Sequence, residues 1–318
     1  MPSQSAAWRT RNLGRLMFSA TDVFVREKLR TVHAGGFGAM TEVHMALVQN
    51  LDLHGTRLTT IAARASMTKQ SMLELVDKAE ALGFVDRRTD PEDRRAKTVT
   101  FTPAGLGMLE QVRKGVAAAE RRMEAVMGAS SLATMKQQLA IYVAAAVGAD
   151  DLRMSDRNDV WRMRSVNRML VSASSAFVHD VLHVVHTGGF DGVAKVHLNL
   201  FRNLDLGGTR LTEIASRACM TKQAMAGLVD KAEELGFVAR LPDPGDGRAK
   251  MVIFTPAGLR LLDQQRKGIE AAEQRMAAVT HAGFVEDLRI QLTAYVASAD
   301  AANAGAANGA PALLLVHI

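Results

Sequence analysis

Apolar residues along the chain recur at helical spacing in long stretches and alternate with polar ones in two short stretches. Residues 10–33 place Leu13, Leu16, Met17, Ala20, Phe24, Leu29 and Val32 mostly three or four apart, ahead of Gly35-Gly36. This pattern predicts one long helix closed by glycine. A second helix is expected over 39–50. Leu58-Thr59 then opens a short one, with Thr59 as its N-cap. After a turn at Ser66-Met67, Thr68 can cap a helix from Lys69 to Leu82, closed by Gly83. Two short helices about a tight turn form a helix-turn-helix.

Beyond Gly83, the segments 84–88 and 97–101 alternate apolar with polar residues and are separated by a turn-rich stretch containing Asp90-Pro91. They read as an antiparallel hairpin. Thr102-Pro103 is an N-cap followed by proline in the first helical turn. The helix it starts carries Leu109, Val112, Val116, Ala119, Met123 and Val126 at steps of three and four, the spacing of a helix seam. A last apolar helix is expected over 132–147. The fold class is therefore mainly α with a small β-hairpin wing.

This whole succession occurs twice. A shift of 153 residues brings Trp8 onto Trp161, Gly35-Gly36-Phe37 onto Gly188-Gly189-Phe190 and Thr102-Pro103-Ala104-Gly105 onto Thr255-Pro256-Ala257-Gly258 without a gap. Over Arg57 to Ser71 and Arg210 to Ala224, 11 of 15 residues are identical. A period of this length marks a domain rather than a solenoid repeat. The expected organisation is a first domain over 1–150, a second over 151–300 and an Ala/Gly/Asn-rich tail over 301–318. Two similar bodies on one chain are expected to associate with approximate two-fold symmetry, as a fused pseudo-dimer.

The 318 residues carry a formal charge of +6, with 48% hydrophobic and 23% charged residues. That is the balance of a folded chain with an anionic partner. No apolar run reaches the roughly 18 residues of a membrane span, and the start has no leader pattern, so a cytoplasmic protein without membrane attachment is expected. The single cysteine, Cys219, excludes an intrachain disulfide and a thiolate metal cluster. It is read as a small buried residue rather than a redox sensor.

Base-edge and phosphate recognition needs donors near the start of a helix that fits the major groove. Lys69, Gln70 and Ser71 occupy the first turn of the helix after the turn, with Lys78 further along. Lys222, Gln223 and Lys231 repeat the arrangement. The helix N-terminus itself attracts phosphate. In the hairpin, Arg87, Arg88, Arg94, Arg95 and Lys97 place five cations within 11 residues. A protruding arginine suits the negative potential of a narrow minor groove. Asp93 is expected to orient a guanidinium or close the turn. The second hairpin keeps Asp243, Asp246, Arg248 and Lys250, and Arg240 stands at the place of Arg87.

The string LVDKAEALGFVDRRTDPEDRRAKTVTFTPAG resembles the MarR family of winged helix-turn-helix regulators, and the likeness covers about residues 10–147 and 163–300. The resemblance implies reading helices in successive major grooves of double-stranded DNA, with wings at the flanking minor grooves. It also implies that Arg95 and Arg248 are the minor-groove arginines, supported by Asp93 and Asp246. The second copy departs from the pattern. Its wing reads DPGDGRAK, Leu241 replaces Arg88, and Gly227 stands where the first reading helix has Glu74. The two halves are therefore expected to bind unequally, on an imperfect palindrome.

Proteins similar to this family sense small aromatic acids, metals or oxidants. Arg11, Arg15, Arg164 and Arg168 on the first helices, with His33, His44, His186 and His197, are candidates to pair a carboxylate effector. No cofactor or resident metal is expected; His179, His183 and His186 share a helix face, read as solvated. The chain has no Gly-rich phosphate loop, HExxH or G-x-S-x-G motif, and no enzymatic function is expected. The competing expectation is a ligand-binding or protein-interaction module of the same fold that has lost specific DNA binding.

Overall fold

The computed structural model describes residues 12–65, 67–89, 97–147, 165–218, 220–243 and 245–306. The first repeat runs α1 (Leu13–Ala34), α2 (Glu42–Asn50), β1 (Thr56–Arg57), α3 (Leu58–Arg64), α4 (Lys69–Ala81), β2 (Val85–Thr89), β3 (Lys97–Phe101), α5 (Pro103–Met127) and α6 (Ala129–Val147). The second repeats this order as α7 (Val166–Thr187), α8 (Lys195–Asn203), β4 (Thr209–Arg210), α9 (Leu211–Ala218), α10 (Lys222–Glu234), β5 (Val238–Asp243), β6 (Asp246–Phe254), α11 (Pro256–Val279) and α12 (Phe284–Ala306). Among the described residues, no helix is long and apolar enough to cross a membrane.

Each wing is a three-stranded antiparallel sheet rather than a bare hairpin. The strand orders are β1-β3-β2 and β4-β6-β5. The extra strand is only two residues long and has too little alternation to be read from sequence. Thr56 pairs with Val99, and Arg57 with Thr98. It directly precedes α3, which starts at Leu58 with Arg57 as its N-cap and no side-chain cap bond. Thr59 is therefore already inside the helix and does not cap it.

The compact units and the sequence repeats divide the chain at different places. One unit comprises 19–171 and 294–299; the other comprises 1–18, 172–293 and 300–318. In the unit of the first repeat, Val25, Leu29, Leu47, Leu51, Ile61, Met72, Val76, Val85, Val99, Met108 and Val112 form one buried cluster. In the unit of the second repeat, Phe201 occupies the place of Val48 and lies 6.1 Å from both Phe237 and Phe254. Phe18, at the end of the 1–18 segment of that unit, lies 5.5 Å beneath the Arg202 guanidinium.

Where each wing meets its following helix, the geometry is steric. A Cβ on Gly105 would lie 1.9 Å from the Phe84 carbonyl oxygen, and one on Gly258 would lie 2.0 Å from that of Phe237. The Thr102 hydroxyl accepts from the Gly105 amide at 3.0 Å and donates to the Gly83 carbonyl at 2.6 Å. One side chain thus caps α5 and ties it to the end of α4. Thr255 makes the same pair of bonds.

Candidate nucleic-acid interface

The reading helices form because a threonine caps a strongly two-faced segment. Thr68 is extended and its hydroxyl accepts from the Ser71 amide at 3.1 Å. Met72, Leu75, Val76 and Ala79 are buried behind it. Lys69, Gln70, Ser71, Glu74 and Lys78 are exposed, so the first-turn donors face solvent. Thr221 caps α10 through the Ala224 amide at 3.1 Å, with Lys222 and Gln223 exposed in turn. The Ser71 hydroxyl is already bonded to that of Thr68 at 2.9 Å. Lys231 pairs with Glu234 at 2.9 Å, whereas Ala81 stands opposite Lys78 in the first repeat.

Arg87 and Arg240, expected among the DNA-contacting wing cations, have their donors taken up by acids of the reading helix. The Arg87 guanidinium reaches Asp77 at 2.7 Å and Glu80 through Nε at 3.0 Å and through Nη2, and its backbone amide also donates to Glu80. Arg240 repeats this with Asp230 at 2.6 Å and Glu233 at 2.5 Å. The Arg87 pairing holds the Glu80 carboxyl below its ordinary range. Bidentate pairs of this kind fix geometry as well as adding energy. Each locks the first wing strand onto the last turn of its reading helix.

The remaining described wing cations point outward. Arg88, Lys97 and Lys250 are exposed. Lys97 donates to the Thr89 hydroxyl at 3.1 Å, across a pair of facing residues in the β2–β3 ladder. Arg94, Arg95 and Asp93 lie outside the described residues, as do the side chains of Arg248 and Asp246. Asp243 is a wing residue that the sequence marks as retained without giving it a role. It is buried and accepts from the Gly245 amide at 2.7 Å and from Arg210 Nε at 2.5 Å. The signal was present as Asp-Pro in both wings, since aspartate at a turn bonds the backbone two residues on.

The histidines named as effector candidates pin helix ends. Nε2 of His33 bonds the Met40 carbonyl and Nε2 of His186 the Val193 carbonyl, each at 2.7 Å. Nδ1 of His44 accepts from the Thr41 amide at 3.1 Å, and that of His197 from the Ala194 amide at 3.0 Å. Burial first, then the Lys78 or Lys231 charge, pushes His44 and His197 below the usual histidine range. Arg15 and Arg168 are half-buried, whereas Arg11 and Arg164 lie outside the described residues. Of the three histidines on one face of α7, His179 and His183 are exposed, whereas His186 is half-buried at the Val193 carbonyl.

A model of the MarR family matches residues 40–96, and a second matches residues 201–250. No protein of curated function matches the chain. Among solved structures, the chain is similar to a transcriptional repressor, CouR, bound to a 23-mer DNA duplex. That likeness has a TM-score of 0.35 at 23% identity and covers 42% of this chain and 94% of that one. Each family match spans the α4 or α10 reading helix of its repeat. Each repeat thus carries its own match to the MarR family over its winged helix-turn-helix, and the two matches support a tandem arrangement of two MarR-like domains, the fold of a DNA-binding transcription regulator.

Proposed function

We propose that the chain is a sequence-specific repressor that reads an imperfect palindrome in double-stranded DNA and releases it when a small acidic effector binds. The supporting observation is the pairing, in each repeat, of a capped helix with exposed Lys-Gln in its first turn and a cationic wing braced to that helix by Arg87 or Arg240. The first-turn side chains reach base edges, and the wings, through Arg95 and Arg248, enter minor grooves. Arg87 and Arg240 then act as positioning residues rather than direct DNA contacts.

Footprinting on the upstream DNA tests this reading, with affinity measured as salt rises. Each neutralised phosphate contributes a slope of about −0.9 in log affinity against log salt, so a steep loss is expected. A flat response without operator preference would instead favour the ligand-binding or interaction module, a reading to which the 47% exposed Leu241 in the second wing lends weight. Arg95→Ala is expected to weaken binding more than Arg248→Ala, because the first wing carries more cations. Equal losses would reject the inequality of the two halves.

A further inference from the structure

Six acids lie on the two reading helices, and five of them are already paired. Arg87 takes Asp77 and Glu80, Arg240 takes Asp230 and Glu233, and Lys231 takes Glu234. Glu74 is the sixth, and among the described residues no cation pairs with it. Met72, Leu75, Val76 and Ala79 turn into the core, which leaves Glu74 on the exposed face, one turn beyond Gln70 and Ser71. Four residues advance a helix by about 6 Å, so Glu74 stands within about two base pairs, at roughly 3.4 Å each, of the position under Gln70.

A carboxylate in that place opposes binding to the phosphate backbone and favours one kind of base. Duplex DNA is a polyanion, so an uncompensated negative charge on the reading face weakens binding to every sequence that offers it no donor. In the major groove, the donors on base edges are the amino groups at cytosine N4 and adenine N6. Adenine sets its N7 acceptor beside N6, which repels a carboxylate, whereas cytosine presents N4 with no acceptor on its own edge. Glutamate at this position therefore selects cytosine twice over, by attraction to its amino group and by repulsion from bases whose edges accept.

The second repeat keeps the exposed first-turn pair Lys222-Gln223 and drops the acid. Gly227 stands at the place of Glu74, and Ala224 at that of Ser71. A Cβ at 227 would meet nothing within 4 Å, so the side chain is not missing for want of room. The two helices thus share what the Lys-Gln pair can read and differ one turn further on. We propose that Glu74 is a specificity-determining residue that sets the two half-sites apart. It accepts from the N4 amino group of a cytosine under the first repeat, and the matching base under the second repeat goes unread. The inference rests on the DNA-reading function proposed above and deepens it, by assigning one base of one half-site to one side chain.

Selection of bound sequences from a pool of random double-stranded DNA, with the full-length chain, tests this assignment. The recovered sites should carry a cytosine in one half only, within about two base pairs of the bases common to both halves. Replacing that cytosine by thymine, whose O4 accepts where N4 donates, should weaken binding by the unaltered chain about tenfold. Glu74→Ala places a good helix former at an exposed position, so the fold is kept. It should bind the two duplexes alike, and hold the thymine duplex more tightly than the unaltered chain does, because the repulsion is gone. Gly227→Glu should extend the cytosine preference to the other half. Discrimination against thymine that survives Glu74→Ala, an equal cytosine preference in both halves of the unaltered chain, or no new preference in Gly227→Glu overturns the proposal. Sequence selection that is indifferent to Glu74 overturns this assignment alone, whereas recovery of no common sequence overturns the repressor reading with it.

Discussion

The two repeats share their helices, their strand orders and their wing braces, but they differ in where they keep charge. Thr102 and Thr255 make the same two bonds, and Arg87 and Arg240 grip the same pair of acids. Against this, Arg88 gives way to Leu241, Glu74 to Gly227, Thr60 to Glu213 and the buried Lys28 to Val181. Positions that fix the backbone are held by sterics and by hydrogen bonds that cannot be left unmade. An exposed or ion-paired charge is held only by what it acts upon, so it can change once a second copy shares the work.

The sharpest way to break the comparison is to attack what the repeats share. Gly105→Ala and Gly258→Ala each drive a methyl group into a backbone carbonyl, at 1.9 and 2.0 Å, which no rotamer change relieves. Each is expected to destabilise its own unit by about 3 kcal/mol or more, at the upper end for overpacking. Chemical denaturation should show two equal losses. If one glycine tolerated alanine, the junction between wing and helix would differ in the two units.

A smaller effect should separate the repeats. Lys28 is 1% exposed, and burial pulls it down to about 8, while Glu42, desolvated and beside Asp22, is pushed up to about 7. Lys28 also feels the attraction of Glu42, and Glu42 that of Lys28 and Arg26. Between about pH 8 and 10.5 the unfolded chain holds a proton on Lys28 that the folded chain has lost, so stability rises with pH there. Between about pH 4.5 and 7 the folded chain holds the extra proton on Glu42, so stability falls as pH rises. The second repeat has Val181 and Lys195 at these places. Lys28→Val with Glu42→Lys should remove both slopes from the pH profile of thermal unfolding. Unchanged slopes would place the titrating groups elsewhere.

How much of this was legible in the sequence follows from the range of each interaction. The reading helices were plain because Thr68 and Thr221 announce their starts and the 3.6-residue period their buried faces. The two-residue strands β1 and β4 were invisible because their pairing to Val99 and Val252 is set some forty residues away. Arg87 looked like any other wing cation, since the acids that claim it lie seven and ten residues back on another element. Arg64 went unnamed for the same reason, because the Asn50 carbonyl and Asp52 that it bonds lie fourteen and twelve residues back, outside its helix.

The mildest test concerns Gly227 in the middle of α10. It is exposed, and a Cβ there would meet nothing within 4 Å. Nothing in the fold therefore requires glycine, and its backbone freedom only weakens the helix. Gly227→Ala should raise stability by about 0.5–1 kcal/mol, seen as a higher denaturant midpoint at constant slope. Glu74→Gly in the first repeat should lose about as much. If alanine at 227 left stability unchanged yet cost affinity for operator DNA, the missing side chain would be an approach route for the phosphate backbone. The second reading helix would then have traded a helix former for closeness to its target, and the difference between the repeats at this position would be functional.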